Sequence, residues 1–430
     1  MDIPALLKRY TPDLSRYEAI YKHLHQNPGL SLQEDLAART AATFLENLIG
    51  FDVRTDIGGR GLIGILKNYS GPTILLRADI DALPVKELTG LPYASTKREV
   101  DIEDGIEKYV MHACGHDMHI ACMLAAAETL WKAKSEWQGT LVILFQPNEE
   151  RGAGARAMID DGLYDSERHA CPIPDVVLGQ HVMPVEAGQV GTRKGIAGSA
   201  ADSFRVTVYG KGGHASQPHM TIDPVFMAAN IIVRLQGIIS REVNPRDAAV
   251  ITVGSVIAGM TENIIADEAI LKINVRNFNP ETRGKVLNSI KRIVKAECDA
   301  SNATKEPLFE PTSNFPFLIN DESVTQKISD SFDQVFGENH TQNCAPLGGS
   351  EDFGILASEA PNKEGGKGVP SCYWLFGGTD PEVIRKAKET GSMEDVPINH
   401  SPLFAPVIQP TLRTGVEALV IGALTFLGKI

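Results

Sequence analysis

A short apolar segment at residues 73–78 constrains the fold of this chain more than any other feature. Its sequence, TILLRA, is almost continuously apolar, which is typical of a strand that a sheet buries on both faces. A helical pattern over residues 116–134, with its apolar side chains on one face, and a second apolar strand at 140–146 follow it. Because strand–helix–strand units join parallel neighbours, the sequence predicts an α/β protein with a mostly parallel central sheet flanked by helices.

Acidic and histidine side chains follow three predicted strands at the point where each strand ends. Asp79 and Asp81 come after the first strand, and a third apolar strand leads directly into His181. Glu149 and Glu150 come after the second strand. Taken alone, the two aspartates fit a turn equally well, but three strand ends that meet at one sheet edge indicate a ligand site. Adjacent side chains of an extended backbone point in opposite directions, so the two glutamates are expected to face different parts of that site.

Residues 111–119, with the sequence MHACGHDMH, concentrate potential metal ligands at the start of the predicted helix. Backbone N–H groups and the helix dipole favour a thiolate and a carboxylate at such a position. Cys114 and His116 flank a glycine, so both side chains can point into one cavity. An isolated Cys-x-His pair is more often a buried cysteine beside a surface histidine. Here the density of the cluster and the acidic strand ends favour zinc or another late first-row metal.

The charge balance excludes one class of partner. The formal net charge of the 430 residues is −13, whereas binding to a phosphate backbone needs a basic face. Nucleic acid is therefore not an expected partner. The glycine-rich turn at 210–216 lacks the Lys-Ser/Thr ending of a phosphate-binding loop, so nucleotide binding is also rejected.

Several sequence features predict a cytoplasmic protein with no membrane partner. The N-terminal residues lack the basic and apolar regions of a signal peptide. The longest late apolar run, at 416–427, is too short for a membrane-spanning helix and contains Glu417. The cysteines are few and irregularly spaced, which is typical of reduced thiols. They are Cys114, Cys122, Cys171, Cys298, Cys344 and Cys372.

The pattern of elements changes at about residue 192 and returns to the α/β type after residue 310. The intervening elements are a half-exposed strand at 203–209, a helix at 224–239, strands at 249–257 and 269–275, and a helix at 280–296. This order resembles a ferredoxin-like α+β unit. We therefore predict a domain at 192–308 inserted into a domain formed by residues 1–191 and 309–430, a division consistent with the chain length.

Six ordered motifs identify the chain as similar to one family. It resembles the aminoacylase, hippurate hydrolase and auxin-conjugate hydrolase branch of the dinuclear metallopeptidase-like amidohydrolases. The motifs are RADxDALP from Arg77, HACGHDxH from His112, QPxEE from Gln146, GGHAS from Gly212, SEDF from Ser350 and HSP from His400. The resemblance spans nearly the whole chain, and it implies a metal-binding α/β domain interrupted by a smaller lid domain that often dimerises.

The resemblance also implies a set of metal ligands for two divalent ions in each subunit. The ligands would be Cys114, His116, Glu150, His181 and His400, with Cys114 bridging both ions. Thiolate and imidazole favour zinc, although manganese, cobalt or nickel can serve such a site. Asp79 and Asp81 are expected to support these ligands from behind.

Further residues acquire roles in catalysis and substrate binding from the same resemblance. Glu149 would be the general base and acid, and His214 in the lid would contact the substrate carbonyl in its own or the neighbouring subunit's site. Asn263 and Arg276 resemble the lid residues that hold the substrate carboxylate. The segment TENII around Asn263 departs from the usual Asn-Val-Ile-Pro, and Asn148 stands where this branch commonly has alanine.

The expected reaction is hydrolysis of an N-acyl or N-aroyl amino acid to a carboxylic acid and a free amino acid. Two metal ions can activate water and polarise the amide carbonyl, while a nearby carboxylate moves the proton. A dipeptidase or carboxypeptidase with the same chemistry is the main alternative. A cysteine hydrolase that uses Cys114 as nucleophile and a metal-stabilised binding protein without turnover are alternatives of other classes. The small-molecule substrate would be bound by a homodimer joined through the lid.

Overall fold

The computed structural model describes residues 2–429, and its elements are labelled in chain order. The α-helices are α1 (Ile3–Tyr10), α2 (Ser15–Gln26), α3 (Asp35–Glu46), α4 (His116–Lys132), α5 (Gly154–Asp160), α6 (Pro224–Arg241), α7 (Pro280–Ala300), α8 (Glu322–Phe336), α9 (Gly354–Ser358), α10 (Pro381–Thr390) and α11 (Ile408–Phe426). The strands are β1 (Phe51–Ile57), β2 (Gly61–Asn68), β3 (Thr73–Asp79), β4 (Arg98–Val100), β5 (Glu107–Tyr109), β6 (Trp137–Gln146), β7 (Val176–Glu186), β8 (Val190–Thr192), β9 (Gly195–Gly198), β10 (Ala200–Tyr209), β11 (Gly213–His214), β12 (Ala249–Ala258), β13 (Ile264–Ile265), β14 (Glu268–Asn277), β15 (Leu308–Phe315), β16 (Leu318–Asn320), β17 (His340–Gln342), β18 (Ser371–Thr379) and β19 (Gly428–Lys429).

The chain forms two compact units. The larger unit comprises the residues up to 197, residues 319–346 and the residues from 352 onward. The smaller unit comprises residues 198–318 and 347–351. The smaller unit thus begins later than the predicted residue 192 and extends past residue 308, because β15 pairs with β10 as part of the same sheet.

The larger unit is built on a mixed sheet with the strand order β1-β2-β6-β3-β7-β18-β8-β17, and β19 pairs with β6. The inner strands β6, β3, β7 and β18 are parallel to one another. Strands β2 and β1 extend one side in antiparallel fashion, and β8 joins β18 antiparallel on the other side. The predicted α/β class with a mostly parallel central sheet is confirmed. Strand β3 is buried along its length after Thr73, as its apolar sequence predicts.

Helix α4, which follows the cysteine–histidine cluster, is buried on nearly all of its sides. Its apolar periodicity predicts one buried face, but every residue from His116 to Ala127 is buried. The difference arises because α2, α3 and α11 pack around a helix whose many alanines permit close approach. A Cβ atom at Gly415 of α11 would lie 2.5 Å from the Cys122 Sγ atom of α4, so these two helices are in very close contact. Although both helices are apolar, no helix within residues 2–429 is long and apolar enough to cross a membrane.

The smaller unit contains an antiparallel sheet with the strand order β12-β14-β10-β15. Helices α6 and α7 pack against one another and cover an apolar core with side chains from β10, β12 and β14. The order β10-α6-β12-β14-α7 is the strand–helix–strand–strand–helix order that the sequence predicts. Each helix begins with proline after a side-chain cap, Asp223 for α6 and Asn279 for α7.

Candidate metal centre and active site

The carboxyl ends of parallel strands bring the predicted polar residues to one edge of the central sheet. Strand β3 ends at Asp79, which pairs in register with Gln146 at the end of β6. His181 lies on β7, the neighbour of β3 on its other side. The sequence predicts that the third strand ends before His181, whereas β7 continues to Glu186. The strand continues because β18 pairs with β7 through this segment.

His116 and His181 each direct the Nε2 atom into the candidate site, His116 towards the two glutamates and His181 towards Cys114. The Nδ1–H of His116 donates to the Asp81 carbonyl at 2.9 Å, and the Nδ1–H of His181 donates to the Val182 carbonyl at 2.7 Å. These bonds leave the lone pair of each Nε2 available to a metal. The His181 Nε2 atom lies 3.4 Å from Cys114 Sγ. One ligand atom each from Cys114, His116 and His181 lies within 4.8 Å of the others.

Glu150 and His400 form the second half of the same cluster. The His400 Nε2 atom lies 3.3 Å from Glu150 Oε2, and both residues offer ligand atoms within 4.8 Å of Cys114. His400 has a positive φ of 71°, and its backbone N–H donates to the Ala113 carbonyl at 2.8 Å. This bond joins the turn near the C-terminus to the cysteine loop. The five residues predicted as metal ligands therefore lie together in the larger unit.

The chemistry of this cluster fits divalent metal ions. Among the described residues, His116 Nε2 and Glu150 Oε1 are buried atoms without a hydrogen-bond partner, and an unsatisfied buried polar group costs about 1–3 kcal/mol. Burial raises the pKa of the Cys114 thiol well above its usual value, and the carboxylates of Glu150 and Glu149 raise it further. Burial also raises the pKa of Glu150 to about 8. Divalent cations would supply the positive charge that these groups need in order to ionise.

The two adjacent glutamates lie closer to one another than the sequence predicts. Glu149 Oε2 is 3.9 Å and Glu150 Oε1 is 3.8 Å from the same atom, His116 Nε2. The expectation of opposite directions assumed an extended backbone. Instead, Asn148 has a positive φ of 53° and residues 149–152 form a turn, so both carboxylates reach one cavity. The other oxygen of Glu150 lies beside His400, which draws this carboxylate towards the second half of the cluster.

Asp79 is surrounded by buried basic side chains, two of which the sequence interpretation missed. His119 Nδ1 lies 2.5 Å from Asp79 Oδ1, and Arg77 Nη1 donates to Asp79 Oδ2 at 2.8 Å. Although burial opposes it, the combined charge of His116, His119 and Arg77 holds the pKa of Asp79 well below its usual value. The other ring nitrogen of His119 accepts the Val182 N–H at 2.9 Å, so both of its nitrogens are occupied by protein groups. The signal for His119 was its position one helical turn after His116.

Asp81 supports two of the candidate ligands at once. Its carbonyl oxygen accepts the hydrogen bond from His116, and its carboxylate Oδ2 accepts the backbone N–H of Glu150 at 3.0 Å. The Ser31 hydroxyl donates to the same Oδ2 at 2.6 Å. Asp79 Oδ2 also lies 3.6 Å from His116 Nε2, so both aspartates contact a candidate ligand.

The three remaining predicted residues lie in the smaller unit. His214 is exposed on β11, which pairs with β13, and the Ala215 N–H donates to the Asn263 carbonyl at 3.0 Å. His214 and Asn263 are therefore neighbours. Arg276 lies on β14, where it donates to the Gly348 carbonyl and to Ser350 Oγ, both at 3.3 Å. Ser350 belongs to the SEDF motif, so this motif, which begins in the second chain segment of the smaller unit, provides a hydrogen-bond acceptor for Arg276.

A largely buried set of thiol, imidazole and carboxylate groups, with the exposed His400 at its rim and a further carboxylate beside it, fits a metal-dependent hydrolase. Residues 75–399 match the model of Peptidase family M20/M25/M40, and the chain belongs to this family. The family assignment confirms the resemblance predicted from the six motifs. The protein is therefore a metal-dependent amidohydrolase.

Relatives of known sequence and structure span most of the chain. It is 38% identical over 343 residues to hippurate hydrolase of Campylobacter jejuni, covering 79% of this chain and 84% of the relative. It is 37% identical over 344 residues to N-acetyl-L-cysteine deacetylase of Bacillus subtilis, covering 80% and 77% respectively. A dinuclear metal-binding peptidase of Bacillus subtilis superposes with a TM-score of 0.70 at 26% identity, covering 96% of this chain and 98% of that one. Together with the ligand groups, this likeness supports two divalent metal ions.

Proposed function

We propose that the protein hydrolyses the amide bond of N-acyl or N-aroyl amino acids, releasing a carboxylic acid and a free amino acid. The observation that carries the proposal is the position of Glu149, a buried carboxylate 3.9 Å from the His116 nitrogen that faces the ligand cluster. The names of the hippurate hydrolase and N-acetyl-L-cysteine deacetylase relatives support this substrate class.

Within the cluster, five residues would bind metal and one carboxylate would transfer the proton. Cys114, His116, Glu150, His181 and His400 would hold two metal ions, which activate water and polarise the amide carbonyl when bound. Glu149 takes a proton from the attacking water molecule and returns it to the leaving nitrogen. The thiolate and imidazole ligands favour zinc as the native metal.

His214 acts as a hydrogen-bond donor to the substrate carbonyl. The backbone N–H of Ser216 lies 3.1 Å from its Nδ1 atom, so this nitrogen accepts a hydrogen bond in the neutral ring. The proton of the neutral imidazole is then on Nε2, which the exposed side chain can present to a ligand. Such a donor stabilises the negative charge that develops on a carbonyl oxygen during amide hydrolysis.

Asn263 and Arg276 hold the free carboxylate of the substrate. An arginine binds a carboxylate with both charge and orientation, and Arg276 is only half-buried. Asn263 is exposed beside His214, which supports a shared role in substrate binding.

The surroundings of Cys114 argue against the alternative of a cysteine hydrolase. A nucleophilic cysteine needs an electropositive environment that lowers its pKa. Burial and the neighbouring Glu150, Glu149 and Asp79 instead raise the pKa of Cys114 well above its usual value. A metal-bound thiolate explains this environment better than a free nucleophile does.

The smaller unit supplies a surface for a homodimer. Strand β12 is at an edge of its sheet, and an edge strand with apolar side chains can pair with another chain. Val250, Val256 and Ile257 on β12 are exposed, as are Phe226 and Val233 on α6. The substitution Val256→Asp should raise the dissociation constant of the dimer, which sedimentation at a series of concentrations would measure.

The cysteines support a reducing compartment, and we place the protein in the cytoplasm. All six are free thiols in the structure, and five of them are buried. Free buried thiols are typical of proteins from compartments that do not favour disulfides.

A substrate panel tests the proposed reaction. The metal-loaded enzyme would be assayed with hippurate, N-acetyl amino acids and dipeptides, and with each substrate after EDTA treatment. We expect hydrolysis of the N-acyl amino acids and its loss on chelation. Preference for dipeptides would favour a peptidase, as the name of the dinuclear relative suggests, and no hydrolysis of any amide would favour a binding protein.

A further inference from the structure

A buried carboxylate outside the ligand cluster, that of Glu34, contacts the loop that carries Glu149. Glu34 is the N-cap residue of α3, but its side chain makes no capping bond to its own helix. It is 1% exposed. Its Oε1 atom instead accepts the backbone N–H of Leu32 at 2.8 Å and the backbone N–H of Asn148 at 2.9 Å.

Both residues that donate to Glu34 have left-handed backbone conformations. Leu32 has a φ of 72° and Asn148 has a φ of 53°. Such conformations are unfavourable for residues other than glycine and persist only where the surrounding structure holds them. A single carboxylate oxygen therefore holds two unfavourable turns at once, one in the segment before α3 and one directly before Glu149.

The loop is held on both sides of Glu149. Glu34 accepts the N–H of Asn148 before it, and Asp81 accepts the N–H of Glu150 after it at 3.0 Å. Ser31, in the turn before Glu34, donates to that Asp81 carboxylate at 2.6 Å. These contacts fix the backbone at both neighbours of Glu149 and so restrict where its carboxylate can reach.

We propose that Glu34 is a positioning residue, which holds Asn148 in its left-handed conformation and thereby places the Glu149 carboxylate for proton transfer. The inference rests on the proposed function, in which Glu149 is the base. A purely structural role would be served better by serine or threonine, which cap a helix without burying a charged group. Glu34 Oε2 accepts no hydrogen bond from the described residues, so the buried carboxylate is not fully compensated.

The test compares Glu34→Ala with Glu34→Gln, which retains an acceptor oxygen. We expect kcat to fall about 10²-fold in the alanine variant, since a small misplacement of a catalytic group has an effect of this size. The value of KM and the content of two metals per chain should be unchanged, and the glutamine variant should retain most of the activity. Loss of metal in proportion to kcat, or an unchanged kcat, would overturn the inference.

Two glycine substitutions separate positioning from a general effect on the fold. In the Glu34→Ala background, Asn148→Gly removes the penalty for positive φ next to Glu149 and should restore kcat about tenfold or more. Leu32→Gly removes the same penalty at the other end of the Glu34 contact and should restore thermal stability without restoring kcat. Equal recovery of kcat by both would show that Glu34 acts only on stability.

Two further variants keep the result interpretable. If Glu34→Ala does not fold, it is replaced by Glu34→Asp, whose side chain is one methylene shorter. In that background, Asn148→Gly should again restore kcat more than Leu32→Gly does. Glu149→Gln is assayed in parallel. Full turnover in Glu149→Gln would refute the role of Glu149 as the base on which the inference rests, whereas an inactive Glu149→Gln beside a fully active Glu34→Ala would refute only the positioning inference.

Discussion

The candidate metal ligands of the larger unit and the candidate substrate residues of the smaller unit differ in burial and in side-chain hydrogen bonding. In the cluster, Cys114 and His116 are buried, and the Nδ1 atom of His116 is already bonded to a protein carbonyl. In the smaller unit, His214 and Asn263 are exposed and connected mainly through backbone hydrogen bonds. Under the proposed function, the difference means that the catalytic groups are preorganised in the fold, whereas the substrate-binding residues lie at the protein surface.

The largest expected effect concerns the division of roles inside the buried cluster. Glu149→Gln should reduce kcat by about 10⁴ or more and retain both metals, because glutamine cannot accept a proton from water. Glu150→Gln should lose metal first and activity as a consequence. The metal content and the turnover number of both variants distinguish the two roles. Loss of metal in Glu149→Gln alone would show that Glu149 is the ligand and Glu150 the base.

A smaller loss is expected for the exposed histidine of the other unit. His214→Ala should lower kcat by about 10²–10³ with unchanged metal content, because it removes one donor to the developing oxyanion. His219→Ala is the matched control, since His219 is an exposed histidine shortly after the glycine-rich turn. Equal kinetics for the two variants would remove His214 from the reaction.

A pH series tests how strongly the stability of the larger unit depends on its buried charged groups. His25 is buried between Asp117 and Glu87, at 2.6 Å and 3.0 Å. Burial alone would lower its pKa, but the two carboxylates raise it to about 10. A raised histidine pKa stabilises the fold fully below about pH 6.5 and loses that contribution as the pH rises towards 10.

The free energy of unfolding should therefore fall more steeply with pH in the wild type than in His25→Gln. Between about pH 6.5 and 8.5 the expected difference is about 2–3 kcal/mol, from about 1.36 kcal/mol for each pKa unit. Urea titrations of both proteins at the two pH values measure it. Parallel pH profiles would show that His25 is uncharged in the folded protein.

The smallest expected effect is on substrate binding by the smaller unit. Arg276→Ala should raise KM about tenfold with little change in kcat, because a charge-assisted hydrogen bond contributes about 1.5 kcal/mol in both ground and transition states. Arg205→Ala is a suitable control, since Arg205 is an exposed arginine on β10, the neighbour of β14. A lower kcat with unchanged KM would contradict the assigned role.

The sequence predicted the elements well because their patterns are local. The apolar strand at 73–78, the helix that follows the cysteine cluster and the order of elements in the smaller unit all correspond to the structure. The burial of α4 on all sides was not predicted, because it depends on which helices pack around it. No local pattern specifies those neighbours.

The sequence indicated which candidate residues lie together, but not their geometry. Strand ends and motifs identified Cys114 and Glu150, but the shared direction of the two glutamates depends on the positive φ of Asn148. That conformation depends in turn on Glu34, which lies far away in sequence. Hydrogen bonds of this kind join distant segments, and the residue types alone do not indicate them.

The hydrogen bond from the His400 N–H to the Ala113 carbonyl has a consequence for biosynthesis. A ribosome adds about 5–20 residues per second, so Cys114 leaves the exit tunnel many seconds before His400 is made. Strand β7 must also await its parallel partner β18, which is translated after the whole smaller unit. Cys114 and the other candidate ligands would therefore wait for β18 and the His400 turn to be translated before they could come together.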